Sequence, residues 1–126
     1  MKSRYDILLR TGSHFSCEAT GETVHKDAFH LVAVVTADSI DQAYALTQNG
    51  NPDLDTETKT WARDRRVALT IEGIRLRCIK MNGSLRSTSV GDIIVGLDGA
   101  AWMVDSCGWL RLEETEDRMN YRVCHE

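Results

Sequence analysis

The sequence predicts an α+β fold: a small single domain over residues 1–126, in which an antiparallel β-sheet carries one packed helix and ends in a β-meander. Three observations predict it. Apolar residues alternate at Tyr5, Ile7 and Leu9, and a nearly continuous apolar run follows over residues 29–36. Ile40, Ala43, Tyr44 and Thr47 recur at i, i+3, i+4 and i+7 behind a capping signal, which is one face of a short helix. Three apolar runs separated by glycine turns then lie between Ile93 and Leu112. A chain of 126 residues is of one-domain size. It buries roughly two-thirds of its unfolded surface and needs neither disulfides nor metal to fold.

Taken in order, Tyr5, Ile7 and Leu9 against Arg4, Asp6 and Arg10 have the period of a half-buried strand, stopped by Thr11-Gly12-Ser13. Residues 14–27 are polar and read as a long hairpin or an irregular loop. Residues 29–36 are rich in β-branched side chains and read as a central strand covered on both faces or nearly so. Asp38 or Ser39 caps the helix, and Ser39 with Gln42 has capping-box spacing; Asn49-Gly50-Asn51-Pro52 ends it. Residues 53–66 carry the least regular pattern. Val67, Leu69 and Ile71 alternate with polar positions, as do Ile74, Leu76 and Cys78 after Gly73, predicting two strands broken at Gly73 or one bulged strand. In the meander, Asp98-Gly99 is a two-residue hairpin signal, and Ser106-Cys107-Gly108 turns the chain again. The acidic stretch 113–118 is solvated; beyond it Tyr121 and Val123 dock as a last short strand, or residues 113–126 fray.

Fifteen basic against nineteen acidic residues give a formal charge of -4, too acidic for an obligate nucleic-acid coat and too mild for a DNA mimic. The N-terminus has no secretory apolar core and no stretch reaches the roughly 18 apolar residues of a membrane span, which points to the cytosol and away from a membrane. Cys17, Cys78, Cys107 and Cys124 are far apart and read as reduced thiols. His25 and His30 have the spacing of half a zinc site, but no cysteine pair accompanies them, so neither metal nor cofactor is implied. Phosphate-loop, dinucleotide, zinc-protease and nucleophile-elbow motifs are all absent, which favours a non-enzymatic protein.

The segment that reads like a signature is Arg86-Ser87-Thr88-Ser89-Val90-Gly91-Asp92. Its hydroxyls, backbone amides and Arg86 suit an anion or ligand site; equally, Ser and Thr can satisfy local backbone groups while Gly91 supplies a positive φ and Asp92 accepts turn hydrogen bonds. From Arg86 to Leu112 the pattern R-S-T-S-V-G-D-I-I, then D-G, an aromatic, V-D and G-W-L, resembles an uncharacterised family of small bacterial proteins from plasmids, integrative elements and prophages. The stretch A-D-S-I-D-Q-A-Y-A-L-T-Q-N, ending at Asn49, resembles that family's helix, and Trp61 corresponds to a tryptophan that follows it. The resemblance covers roughly residues 29–112. It implies a setting, an accessory gene of a mobile element, and no particular chemistry.

Trp61 stands among polar residues beside arginines, as an interface anchor or base-stacking platform would, or else closes over the core as a loop plug. Trp102 and Trp109 lie in the meander, where packing is the ordinary role. The basic residues Arg63, Arg65, Arg66, Arg75, Arg77 and Lys80 concentrate positive charge, and on a strand Arg75 and Arg77 would share one face. The leading expectation is therefore a non-enzymatic accessory protein binding a host or element-encoded protein near Trp61, Arg86, Ser87, Thr88, Ser89 and Asp92. The alternatives are a nucleic-acid adaptor using the basic segment 63–86, or a small enzyme or ligand-binding domain using the Ser/Thr loop 86–92. A homodimer through edge strands is compatible with all three.

Overall fold

A computed structural model of the chain describes residues 2–10, 23–80, 85–106 and 108–124. Among these residues eight strands form one sheet: β1 (Ser3–Arg10), β2 (Thr23–His25), β3 (Phe29–Ala37), β4 (Val67–Leu69), β5 (Ile93–Gly96), β6 (Ala101–Asp105), β7 (Gly108–Glu114) and β8 (Asn120–Val123). Their order is β2-β8-β7-β6-β5-β1-β3-β4, with every pair antiparallel. Two helices accompany them, α1 (Ile40–Ala45) and α2 (Ile71–Lys80). The α+β class, the packed helix α1 and the meander β5-β6-β7 are as the sequence predicts. No helix among the described residues is long and apolar enough to cross a membrane.

The sheet is apolar on both faces. One face gathers Ile7, Leu9, Val35 and Ile94 beneath Ala43, Leu46, Leu54 and Trp61. The other gathers Val24, Phe29, Ile93, Met103, Leu112 and Tyr121. The second cluster draws on β2 and on the far strand β3 alike, and the reason is covalent. β2 pairs with β8 while β3 pairs with β1, yet only a 3-10 turn, Lys26–Ala28, separates β2 from β3 along the chain. The sheet thus curls round the second cluster and the chain itself ties its margins together. Tyr121 and Val123 dock as β8, at 7% and 4% exposure, so residues 120–123 join the sheet rather than fraying. Lys26 supports this closure with a salt bridge to Glu114 and a position 4.6 Å from the Tyr121 ring centroid.

A β-bulge explains the long apolar run in β3. Ile7 faces Ala33 and Leu8 faces Leu31, leaving Val32 as the extra residue. Val32 and Ala33 are consequently both buried, while Leu31 on the other side is 43% exposed. This strand is covered on one face and only partly on the other.

The capping box of α1 is present: Ser39 Oγ accepts the Gln42 amide at 3.1 Å, and the Gln42 side chain turns back to the Asp38 amide. The Asp98-Gly99 hairpin is one residue longer than its dipeptide suggests. Residues 97–99 form the loop between Gly96 and Ala100, with Gly99 at φ +87. The strand predicted over 74–78 is corrected to a helix. Thr70 is the cap, its Oγ1 accepting the Gly73 amide at 3.0 Å, and Glu72 places an acid in the first turn. Gly73 brings α2 into contact with the Val32 backbone and Leu76 packs on the first cluster. On a helix, residues two apart diverge by about 200°. Arg75 and Arg77 therefore do not form the shared stripe expected of them.

Candidate functional site

The signature segment is the centre of a hydrogen-bonded knot. The Asp92 carboxylate is buried at 1% exposure and accepts from both terminal nitrogens of Arg86, at 2.6 and 2.8 Å. It also accepts from the amides of Arg10 at 2.7 Å and Ser89 at 2.8 Å. Arg86 Nη2 donates on to the Arg10 carbonyl at 3.0 Å. A guanidinium and two peptide N–H groups are thereby satisfied by one carboxylate, which welds the end of β1 to the start of β5. Gly91, at φ +94, makes the turn that lets Asp92 fold back.

The C-terminal turn of α1 is tied into the same knot. Thr88 N donates to the Thr47 carbonyl, Gln48 Nε2 to the Thr88 carbonyl, Asn49 Nδ2 to the Leu85 carbonyl, and Asn49 N to Ser87 Oγ. Trp61 completes it: its amide donates to Asn49 Oδ1 at 3.0 Å and its indole to the Arg86 carbonyl at 2.9 Å. Thr47-Gln48-Asn49, Trp61 and residues 86–92 thus meet in one place. Trp61 is fully buried. It is a core plug with a satisfied indole, and its use as an exposed contact anchor is corrected accordingly. Arg86, Ser87, Ser89 and Asp92 have their polar atoms turned to one another or to the backbone. The Thr88 hydroxyl is the one buried side-chain polar atom without a hydrogen-bond partner among the described residues.

The basic segment is largely paired. Arg65 meets Asp55 at 2.8 Å, Arg66 meets Asp64 at 2.9 Å, and Arg75 meets Glu72 at 3.5 Å. Arg63 is exposed and Arg77 half-buried, neither with an acidic partner among the described residues; Lys80 ends α2. Among the described residues no three His, Cys, Asp or Glu side chains gather as a metal-binding set. Cys107 and the polar stretch 11–22 lie outside the described residues.

Asp64 anchors the loop that carries Trp61. Its buried carboxylate accepts from the Arg66 side chain and from the amides of Asp55 and Arg66. The Arg66 guanidinium is the main cause that holds its pKa far below the ordinary carboxylate range. A depressed folded-state pKa contributes stability above the unfolded value near 4, and that contribution is lost as pH falls through the window below it. Asp64→Asn is expected to melt lower than the wild type at pH 7 and to lose less on going to pH 3. Thermal melts at the two pH values check this, and an equal drop in both proteins would sink it.

The knot thus ties the end of α1 to the segment that leads into β5, and an open cleft lies beside the helix start. The cleft holds about 770 Å³, and its lining includes Tyr5, Asp38, Ser39, Ile40, Leu97, Asp98, Trp102 and Arg111. Trp102 alternates with the buried Ala101 and Met103 and so points to the opposite face, half-exposed, with the Arg111 guanidinium 5.8 Å from its ring centroid. Leu97, at the hairpin tip, is 78% exposed. A smaller hollow of about 250 Å³ also borders α1, between Asp41, Tyr44, Asp105 and Trp109. There Trp109 Nε1 donates to Asp41 Oδ1 at 3.1 Å, and Tyr44 meets Trp109 edge-on at 5.9 Å. Sequence reasoning assigned Trp102 to packing. The signal for its exposure was its phase, one residue out of step with Ala101 and Met103.

Comparison with protein-family models, with curated proteins and with solved structures finds no match for the chain.

Proposed function

We propose that this protein is a non-catalytic binding module whose contact surface for a protein partner is the cleft between α1 and the β5–β6 hairpin. The observation that carries the reading is the composition of that cleft: a half-exposed tryptophan with an arginine over its ring, a tyrosine and a protruding leucine on a rigid sheet face. Trp, Tyr and Arg are the side chains that dominate protein interfaces, because they bury large rigid area at small entropic cost. Trp61, Arg86, Ser87, Thr88, Ser89 and Asp92 do not line that cleft, and in this reading their part is to stabilise the fold around it. Family resemblance supplies the setting, an accessory protein of a mobile element acting on a host or element-encoded partner. The nucleic-acid alternative draws less support, since Arg65, Arg66, Arg75 and Arg86 each already face a carboxylate.

The test is affinity capture from the host lysate with nuclease present, using the wild type, Leu97→Asp, Trp102→Ala, and Arg63→Gln with Arg77→Gln. Leu97 is so exposed that Leu97→Asp is expected to change stability by less than about 0.5 kcal/mol. It is nevertheless expected to abolish stoichiometric capture, as is Trp102→Ala, while the arginine pair leaves it intact. Capture that survives both cleft variants, or that vanishes with nuclease, would overturn the reading.

A further inference from the structure

We infer that the segment of the partner that enters the cleft is basic, an extended or helical stretch bearing Arg or Lys beside apolar side chains. This inference rests on the cleft being the partner-binding surface. Trp102 pairs across the strands with Arg111, and Val104 with Trp109, so the large cleft and the smaller hollow lie along one strip of sheet face, with α1 beside it. Asp38 and Asp98 line the first and Asp41 and Asp105 line the second, and Arg111 is the one cation lining either. Arg111 is itself held near the Trp102 ring. The lining thus combines aromatic and apolar side chains with four carboxylates. An acidic partner would set carboxylate against carboxylate. A basic one meets complementary charge, with aromatic side chains beside it for a guanidinium or a lysine stem. Nucleic acid is disfavoured for the same reason: its phosphates would face four aspartates.

Two synthetic peptides test this, one alternating Arg, Leu and Lys, the other with Asp and Glu in place of the basic residues. Each is titrated into the full chain by calorimetry and by amide chemical-shift mapping. The basic peptide is expected to bind with shifts centred on Leu97, Trp102 and Asp38, weakening as salt rises. Asp38→Asn with Asp98→Asn is expected to weaken it roughly tenfold. The Asp98 oxygen that accepts the Ala100 amide at 3.0 Å survives that change, so the hairpin keeps its turn. Glu57→Gln with Glu116→Gln, which removes the same charge from exposed positions that line neither hollow, is expected to leave affinity unchanged. Equal weakening by this remote pair, tighter binding of the acidic peptide, no binding of either, or a second copy of the chain seated over Trp102 in sedimentation and shift mapping would each overturn the inference. Acidic-peptide shifts at Trp102 would end the basic specificity and leave the cleft standing, whereas basic-peptide shifts remote from Leu97 and Trp102 would remove the cleft reading itself.

Discussion

Arg86→Ala is expected to cost about 3 kcal/mol or more of folding stability, because it strands the Asp92 carboxylate at 1% exposure without its cation. The loss is a large share of the roughly 5–15 kcal/mol that holds a domain of this size together. It should reach both elements the guanidinium joins, since Arg86 also donates to the Arg10 carbonyl at the end of β1. The double variant Arg86→Ala with Asp92→Ala is expected to be milder than the sum of the two single changes, because it removes the uncompensated charge together with its partner. Urea unfolding of the three variants measures this. Strict additivity, or a loss within about 0.5 kcal/mol for Arg86→Ala, would show that the pair is a surface decoration rather than the centre of the knot.

Gly73→Ala is expected to be equally severe, against the ordinary trend. Replacing glycine by alanine inside a helix usually gains about 1 kcal/mol. Here an added Cβ would fall well inside contact distance of the Val32 carbonyl oxygen, and would stand 2.9 Å from its carbonyl carbon and 3.1 Å from its Cα. All three are backbone atoms of a bulged strand, and none can rotate away. α2 would have to lift off β3, loosening the Thr70 amide that donates to the Val32 carbonyl at 2.9 Å. The expected loss is at or above the upper end of the 1–3 kcal/mol range for overpacking. Faster exchange of the Thr70 amide is the local sign. A melting temperature equal to or above that of the wild type would refute the close approach.

Those two sites also show what was legible in the sequence. α1 was readable because its signals are local: a serine cap, a glutamine three residues on, and a glycine-proline stop. The meander was readable because its runs are short and its turns carry glycine. α2 was not, because its contact with β3 is made by the backbone of Gly73, which has no hydrophobic score, while Ile71 and Ile74 point outward at 80% and 45% exposure. An alternating pattern was thus the wrong guide to a helix that packs through Gly73 and Leu76 while its two isoleucines at the start face outward. Thr70 and Glu72 were the available signals. At the site, the hydroxyl-rich loop was identifiable as special, but its purpose depends on Thr47, Asn49 and Trp61, which only the fold brings to it. The cleft was invisible for the converse reason: Leu97, Trp102 and Arg111 are unremarkable singly and acquire meaning from sharing one sheet face beside α1.

The covalent tie between the sheet's margins has a bearing on how the molecule is made. β1 finds its partner β5 some ninety residues later, with Tyr5 opposite Gly96, and β2 finds β8 later still, with Thr23 opposite Arg122. A nascent chain can pair β1 with β3 early, but β2 lacks its sheet neighbour until β8 has been made. Loop closures of this length delay folding more than they lower final stability. Val24 of β2 and Phe29 of β3 therefore lack their cluster partners Leu112, Tyr121 and Val123 until those residues have been made. Loss of β8 would leave β2 unpaired and the seam open, with two exposed strand edges.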